Sequence, residues 1–163
     1  MSDERIPQLQ QHGCQVALWQ PEIPPNTGNV ARLCAATGAV LHLIGRLGFR
    51  LDDRSLRRAG LDYWHAVELH RYATLEEFEA TLPAERVFCF SARASVSYTS
   101  ATYQRGDVLL FGSESHGLPE EVLRRHAGRV LTIPMRGKAV RSLNLATAVG
   151  IVLYEALRQI EGW

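Results

Sequence analysis

Short apolar runs recur along the chain, and residues typical of turns separate them. Such runs are typical of strands that are buried on both faces of a parallel sheet. The pattern predicts six strands, at Cys14–Trp19, Val40–Ile44, Val67–Leu69, Arg86–Ser91, Asp107–Phe111 and Arg129–Ile133.

Segments with helical spacing alternate with these strands. The predicted helices are Gly28–Thr37, Leu51–Leu61, a helix capped by Thr74 that runs to Leu82, Pro119–His126 and Leu143–Ile160. Gly38 is a natural stop for the first, and Glu77 stands at the capping-box position of the third. Strands that alternate with helices predict an α/β fold, with a mainly parallel sheet flanked by helices.

The last predicted helix is apolar around its whole circumference. The apolar positions are Leu143, Leu145, Val149, Ile151, Val152, Leu153 and Leu157. A helix with no polar face is buried on more than one side. We therefore expect this helix to serve both the core of the monomer and a contact with a second subunit, which makes the protein a homodimer.

The length of 163 residues fits one domain, and the 46% hydrophobic content is ordinary for a soluble globular protein. No apolar run approaches the roughly 20 residues of a membrane-spanning helix. Residues 1–13 are polar and lack the apolar core of a signal peptide. We expect a flexible arm over 1–13, a single domain over 14–163, and a cytoplasmic location.

The three cysteines are Cys14, Cys34 and Cys89, which lie far apart and form no CxxC pair. A zinc site or a disulfide framework is therefore not expected. We interpret all three as small buried residues.

The net charge is only +1, but the basic residues are unevenly distributed. All of them except Lys138 are arginine, and they cluster at 46–58 and 124–141. Arginine suits bidentate contact with phosphate, so these clusters are compatible with RNA binding. They are also compatible with an ordinary solvated surface.

Several common signatures are absent from the sequence. It contains no GxGxxG, GxxxxGK[ST], HExxH or GxSxG, and its six histidines show no metal-ligand spacing. A nicotinamide-dependent oxidoreductase on a doubly wound sheet therefore lacks its glycine fingerprint, and we expect no metal.

Three unusual loops each follow a predicted strand, over 20–29, 112–119 and 134–142. Ligands of open α/β sheets bind beyond the carboxyl ends of the strands, so these loops are expected to meet at a site. Asn26 precedes Arg32 by six residues, Glu114 lies between two glycines, and Ser142 is a possible N-cap of the last helix. Taken singly, each loop is also explained by ordinary helix capping or chain reversal.

Together these segments resemble the SPOUT methyltransferases, and most closely the TrmL (YibK) group, the 2′-O-ribose methyltransferases of the tRNA wobble position. The segments are EIPPNTGNVARLCAATGAVLHLI, RLGFRLDDRSLRRAGLDYW, FGSESHGLP and IPMRGKAVRSLNLATAVGIVLYEA. The resemblance covers about residues 15 to 160. It implies a deep C-terminal trefoil knot, S-adenosyl-L-methionine as cofactor and tRNA as partner. The implied reaction is methylation of the 2′-hydroxyl of the wobble nucleotide, a cytidine or modified uridine, in tRNA-Leu isoacceptors.

The resemblance also implies roles for particular residues. The implied catalytic residues are Arg32, Asn26, Ser142 and Asn144. The implied cofactor-binding residues are Phe90, Gly112, Glu114, Ile133, Ser142 and Leu143. The implied RNA-binding residues are Arg141, Arg57, Arg58 and Tyr154.

Two of these roles have alternatives. Arg32 could be a base tuned by its site or a cation that stabilises the forming alkoxide, and we favour the second because a guanidinium is a poor general base in water. Tyr154 could face the acceptor or pack against a partner subunit. The sequence also departs from the family pattern at Ser113 and His116, where many relatives carry proline and arginine.

The sequence is also compatible with two other functions. The enzyme could methylate another nucleotide of tRNA or a ribosomal RNA, although the stretch Arg57–Trp64 favours the wobble group. Alternatively, the chain could be a non-catalytic RNA-binding module with the same fold.

Overall fold

The computed structural model describes residues 13–52, 54, 58 and 63–163, whose strands form one parallel sheet. The strands are β1 (Gln15–Trp19), β2 (Val40–Ile44), β3 (Leu69–Tyr72), β4 (Val87–Phe90), β5 (Val108–Phe111) and β6 (Val130–Leu131). Their order is β3-β2-β1-β5-β4-β6, and every pairing is parallel. The predicted α/β fold is confirmed. The trefoil knot stays a prediction, because strand order alone does not define how the chain threads.

Helices flank the sheet. They are α1 (Pro24–Thr37), α2 (Leu75–Glu79), α3 (Glu120–Arg125) and α4 (Leu145–Glu161), with 3₁₀ turns at Ala84–Arg86 and Tyr98–Ser100. The predicted helix Leu51–Leu61 and the predicted arm 1–13 fall largely outside the described residues.

Several predicted boundaries are wrong by a few residues. Helix α1 begins at Pro24 rather than Gly28, because the first turn of a helix needs no amide hydrogen from proline. Helix α2 ends at Glu79 rather than Leu82. The third strand is Leu69–Tyr72 rather than Val67–Leu69, in register with β2.

Local capping residues predict the helix limits better than the apolar periodicity does. The Thr74 hydroxyl accepts a 3.2 Å hydrogen bond from the Glu77 amide, and the Glu77 carboxylate accepts one of 3.1 Å from the Ala73 amide. Gly38 ends α1 with a φ of 77°. The prediction that Ser142 caps the last helix is wrong, because Asn144 is the N-cap.

The sheet separates two apolar clusters, one on each face. Val16 and Leu18 of β1 face the cluster that contains α1 and α4, whereas Ala17 faces the cluster that contains α2. A Cβ atom built on Gly150 of α4 would lie 3.8 Å from Leu33, so α1 and α4 pack closely. Helix α4 is not buried all round in this single chain, because Tyr154 is 47% exposed.

The predicted burial of Cys14, Cys34 and Cys89 is confirmed. Burial raises the pKa of each thiol to about 12. Within the described part of the chain, no helix combines the length and the apolar character needed to cross a bilayer. Over the same residues, no group of three or more His, Cys, Asp or Glu side chains could hold a metal ion.

Candidate active site

The carboxyl ends of β4, β5 and β6 open into a cleft of about 660 Å³, which the first turn of α4 also borders. Phe90 and Phe111, the last residues of β4 and β5, form its apolar floor. Their rings are stacked with centroids 4.8 Å apart and planes 16° apart. The cleft has the volume and the mixed lining of a small-molecule site.

Hydrogen bonds join the three loops around this cleft. The Asn144 Nδ2 group donates to Asn26 Oδ1 at 2.9 Å, and Asn26 Nδ2 donates to Glu114 Oε2 at 3.3 Å. An ionised carboxylate only accepts hydrogen bonds, so it fixes the orientation of the Asn26 amide. We refer to Asn144, Asn26 and Glu114 as the amide relay.

Glu114 also holds the entry to α1. Its carboxylate accepts hydrogen bonds from the backbone amides of Glu22 at 3.0 Å and Ile23 at 2.6 Å. A negative charge at this position also complements the positive end of the helix dipole. Glu114 therefore links the loop after β5 directly to the start of α1.

A second carboxylate makes the reciprocal contact. Glu22 accepts hydrogen bonds from the Ser115 hydroxyl at 2.5 Å and the Ser115 amide at 3.3 Å. These hydrogen bonds stabilise the charged form and lower the pKa of Glu22. Residues 20–23 and 113–117 are thus joined by reciprocal hydrogen bonds, in which each loop supplies one carboxylate.

Gly112 allows the loop after β5 to fold back on its own strand. A Cβ atom at this position would lie 2.0 Å from the carbonyl carbon of Gly117 and 2.2 Å from the amide nitrogen of Leu118. The fold-back is closed by a 2.9 Å hydrogen bond from the Gly117 amide to the Ser113 carbonyl. Only glycine fits there without displacing backbone.

The structure brings most of the predicted site residues together at the cleft. Those that line it are Asn26, Phe90, Gly112, Glu114, Ile133, Arg141, Ser142, Leu143 and Asn144. This set contains every residue predicted to bind the cofactor and three of the four predicted to be catalytic.

Other predicted residues lie elsewhere. Arg32 is exposed on α1 and does not line the cleft, and its guanidinium lies over the Tyr63 ring at 5.2 Å from the centroid. Tyr154 is exposed on α4, with its ring centroid 6.1 Å from that of Trp163. Arg58 is exposed, and Arg57 lies outside the described residues.

Sequence reasoning missed Arg93 as a candidate. It follows β4, lines the cleft and pairs with Glu120 at 3.5 Å. Both side chains are largely exposed, so this pair adds little stability. The available signal was a basic residue directly beyond the carboxyl end of a predicted strand, the position at which such folds bind ligands. His116, noted in the sequence only as a departure, also lines the cleft.

Comparison with known proteins gives consistent matches over nearly the whole chain. The profile of the SpoU rRNA Methylase family matches residues 13–154. A Synechocystis protein described as a putative tRNA (cytidine(34)-2'-O)-methyltransferase is 49% identical over 148 residues, which cover 90% of this chain and 96% of that protein. The tRNA (cytidine(34)-2'-O)-methyltransferase of Escherichia coli K12 is 43% identical over 146 residues, with coverages of 89% and 92%.

Solved structures agree in fold. One, from work on the 2-OH methylation of C/U34 on tRNA, has a TM-score of 0.87 at 54% identity and covers 92% of this chain and 97% of its own. The AdoMet-bound rRNA methyltransferase of Sinorhizobium meliloti has a TM-score of 0.80 at 34% identity, with coverages of 92% and 59%.

Proposed function

Because this chain belongs to the SpoU rRNA methylase family, we propose that it transfers a methyl group from S-adenosyl-L-methionine to the 2′-hydroxyl of the wobble nucleotide of tRNA, a cytidine or modified uridine. The observation that carries this proposal is the cleft, whose lining collects the predicted cofactor residues from three separate segments. Relatives described as tRNA (cytidine(34)-2'-O)-methyltransferases match about nine-tenths of the chain.

The cleft fits the proposed cofactor. Phe90, Ile133 and Leu143 supply an apolar lining for a flat nucleoside base, while Ser142 and Asn144 supply polar groups beside it. When bound, the cofactor supplies an electrophilic methyl group on a sulfonium, which is already a good leaving group. The protein must therefore align the acceptor with this methyl group and ease removal of the hydroxyl proton.

We assign the amide relay to alignment. Asn26 and Asn144 are held by Glu114 and by the first turn of α4, so their amides are fixed before substrate arrives. Fixed dipoles need no reorganisation during the reaction, which favours the transition state. Ser142 stands beside Asn144 at the rim and is proposed to orient the ribose.

Arg32 is proposed to act as a cation on the RNA side of the site. It projects from the exposed face of the helix whose first turn carries Asn26 into the cleft. Its charge would stabilise the forming alkoxide or the adjacent phosphate, because a guanidinium is a poor base.

The RNA is proposed to cross the mouth of the cleft. Arg141 and Arg93 lie at that mouth, and both are exposed. Arg57, Arg58 and Tyr154 are proposed as further RNA contacts. Phosphate contacts release counterions, so the affinity for tRNA should fall steeply as salt increases. A flat salt response would contradict the arginine assignments.

The finer points of the assignment are also proposals. We propose a homodimer, supported by the exposed side chains of Tyr154, in the middle of α4, and Trp163, just after it, and light scattering on the purified protein tests it. Residues 14–163 are proposed to form one domain. The substrate is proposed to be tRNA-Leu isoacceptors, and a cytoplasmic location follows from a tRNA substrate.

Mass spectrometry of nucleosides from tRNA incubated with the protein and S-adenosyl-L-methionine tests the reaction. We expect a 2′-O-methylated nucleoside, mapped to the wobble position. A 2′-O-methylated nucleoside at another position would support the proposed reaction but overturn the assignment to the wobble nucleotide. No product from any RNA would favour the non-catalytic alternative.

The role of Arg32 has its own test. Arg32→Ala should abolish methyl transfer while calorimetry shows unchanged cofactor binding. Arg71→Ala, at an exposed arginine on β3 outside both arginine clusters, is the control and should transfer normally. Equal loss of cofactor binding in Arg32→Ala would overturn the role at the acceptor.

A further inference from the structure

The geometry around Arg32 points to a positioning residue that the sequence did not single out. We propose that Tyr63 holds the Arg32 guanidinium in the orientation needed at the methyl acceptor, and this inference rests on the function proposed above. The guanidinium carbon lies 5.2 Å from the centroid of the Tyr63 ring, within the range of a cation–π contact.

An aromatic partner leaves the guanidinium chemically available. A carboxylate would occupy its N–H donors and neutralise its charge, and no carboxylate of the described residues pairs with Arg32. A ring face instead orients the planar cation from one side, so the donors around its edge remain free for phosphate or ribose oxygens. Tyr63 therefore restrains Arg32 without competing with RNA.

Both partners stand on fixed supports. Tyr63 directly precedes Trp64, which packs against the core. The Tyr63 carbonyl also accepts a 2.9 Å hydrogen bond from the Ala66 amide. Arg32 belongs to α1, whose first turn is tied to the cleft through Asn26. The contact thus sets the position of the Arg32 charge relative to the cleft.

Tyr63 is 39% exposed, so its ring can be replaced without opening the core. At an exposed site, a cation–π contact of this kind changes an equilibrium constant by a factor of about two to five. We expect Tyr63→Leu to lower kcat for methyl transfer about two- to fivefold, with cofactor affinity unchanged. Tyr63→Phe keeps the ring face and should restore the wild-type rate.

A direct role of Tyr63 in stacking on an RNA base is the competing explanation, and binding measurements distinguish it. We would measure tRNA affinity without cofactor for Tyr63→Leu, Arg32→Ala and the double variant. If Tyr63 acts through Arg32, Tyr63→Leu adds no loss in the Arg32→Ala background. A further loss of affinity in the double variant would overturn the proposal.

A spectroscopic readout is independent of activity. In the free protein, the Nε–H and Cδ–H proton resonances of Arg32 should be shifted upfield by the Tyr63 ring current. The shift should persist in Tyr63→Phe and disappear in Tyr63→Leu and Tyr63→Met. Unchanged Arg32 resonances in folded Tyr63→Leu, or a Tyr63→Leu enzyme with wild-type kcat, would overturn the inference while leaving the proposed function intact. Failure of the wild-type protein to methylate any tRNA would instead reject the proposed function, and the positioning role with it.

Discussion

Asn144 donates a 2.9 Å hydrogen bond to Asn26 across 118 positions of the chain. The same Asn144 side chain accepts a 3.2 Å hydrogen bond from the Thr147 amide as the N-cap of α4. One side chain therefore begins one helix and fixes the first turn of another. At the cleft, this hydrogen bond therefore joins two segments that are distant in the sequence.

Asn26 is the centre of the amide relay and is only 7% exposed. Asn26→Ala should lower the free energy of unfolding by about 1–3 kcal/mol, because it leaves the Asn144 amide and a Glu114 oxygen without this partner. Denaturant unfolding measures the change. Asn29→Ala, at an exposed residue of the same helix, is the control and should be near neutral. Equal losses in the two variants would show that the relay contributes nothing.

Glu114 accepts hydrogen bonds from the amides of Glu22 and Ile23 and from the Asn26 side chain. In Glu114→Gln, an NH₂ group replaces one acceptor oxygen, so one N–H donor would face another. We expect a loss of about 1.5–3 kcal/mol in unfolding free energy, together with weaker cofactor binding. Glu120→Gln removes a carboxylate from the exposed 3.5 Å pair with Arg93 and should change neither quantity. Tight cofactor binding by Glu114→Gln would contradict its role in shaping the cleft.

At Gly112, the Cβ atom of any other residue would lie about 2 Å from the backbone of Gly117 and Leu118. Because those atoms are backbone, Gly112→Ala must displace the loop. We expect cofactor binding, measured by calorimetry, to fall below detection, with a loss of stability of about 1–3 kcal/mol. The matched change Gly137→Ala meets no atom within 4 Å and should leave stability unchanged. Normal binding by Gly112→Ala would show that the fold-back is dispensable.

The Glu22–Ser115 contact predicts a pH dependence of stability. Hydrogen bonds from Ser115 lower the pKa of Glu22 in the folded state, so its contribution is present above the unfolded pKa and is lost as pH falls through the folded value. Wild type should therefore be more stable than Glu22→Gln at neutral pH. The two stabilities should converge below the ordinary range for glutamate. In a Ser115→Ala background the difference in stability at neutral pH should shrink, and a difference that stays constant from neutral to acid pH would reject the contact.

The sequence by itself determined the secondary structure order and the fold class. The apolar runs predict the limits of β1, β2, β4 and β5 to within a residue or two, because a strand buried on both faces has a distinctive local composition. Thr74 and Gly38 were correct as helix limits, since capping depends on residues within a few positions of each other.

Motif resemblance identified the segments that meet at the cleft, but it did not reveal their contacts. Ser142 and Asn144 are both good N-cap residues, and local preference could not choose between them. Asn144 is the observed cap, and the same side chain bonds to Asn26.

Only the tertiary structure decided how the side chains of the site are paired. It placed Glu114 at the start of α1 and set the Arg32 guanidinium over Tyr63 rather than in the cleft. Such pairings depend on distances in space between residues far apart in the chain. A local pattern carries no information about those distances, so it could supply the residue types of the site but not their partners.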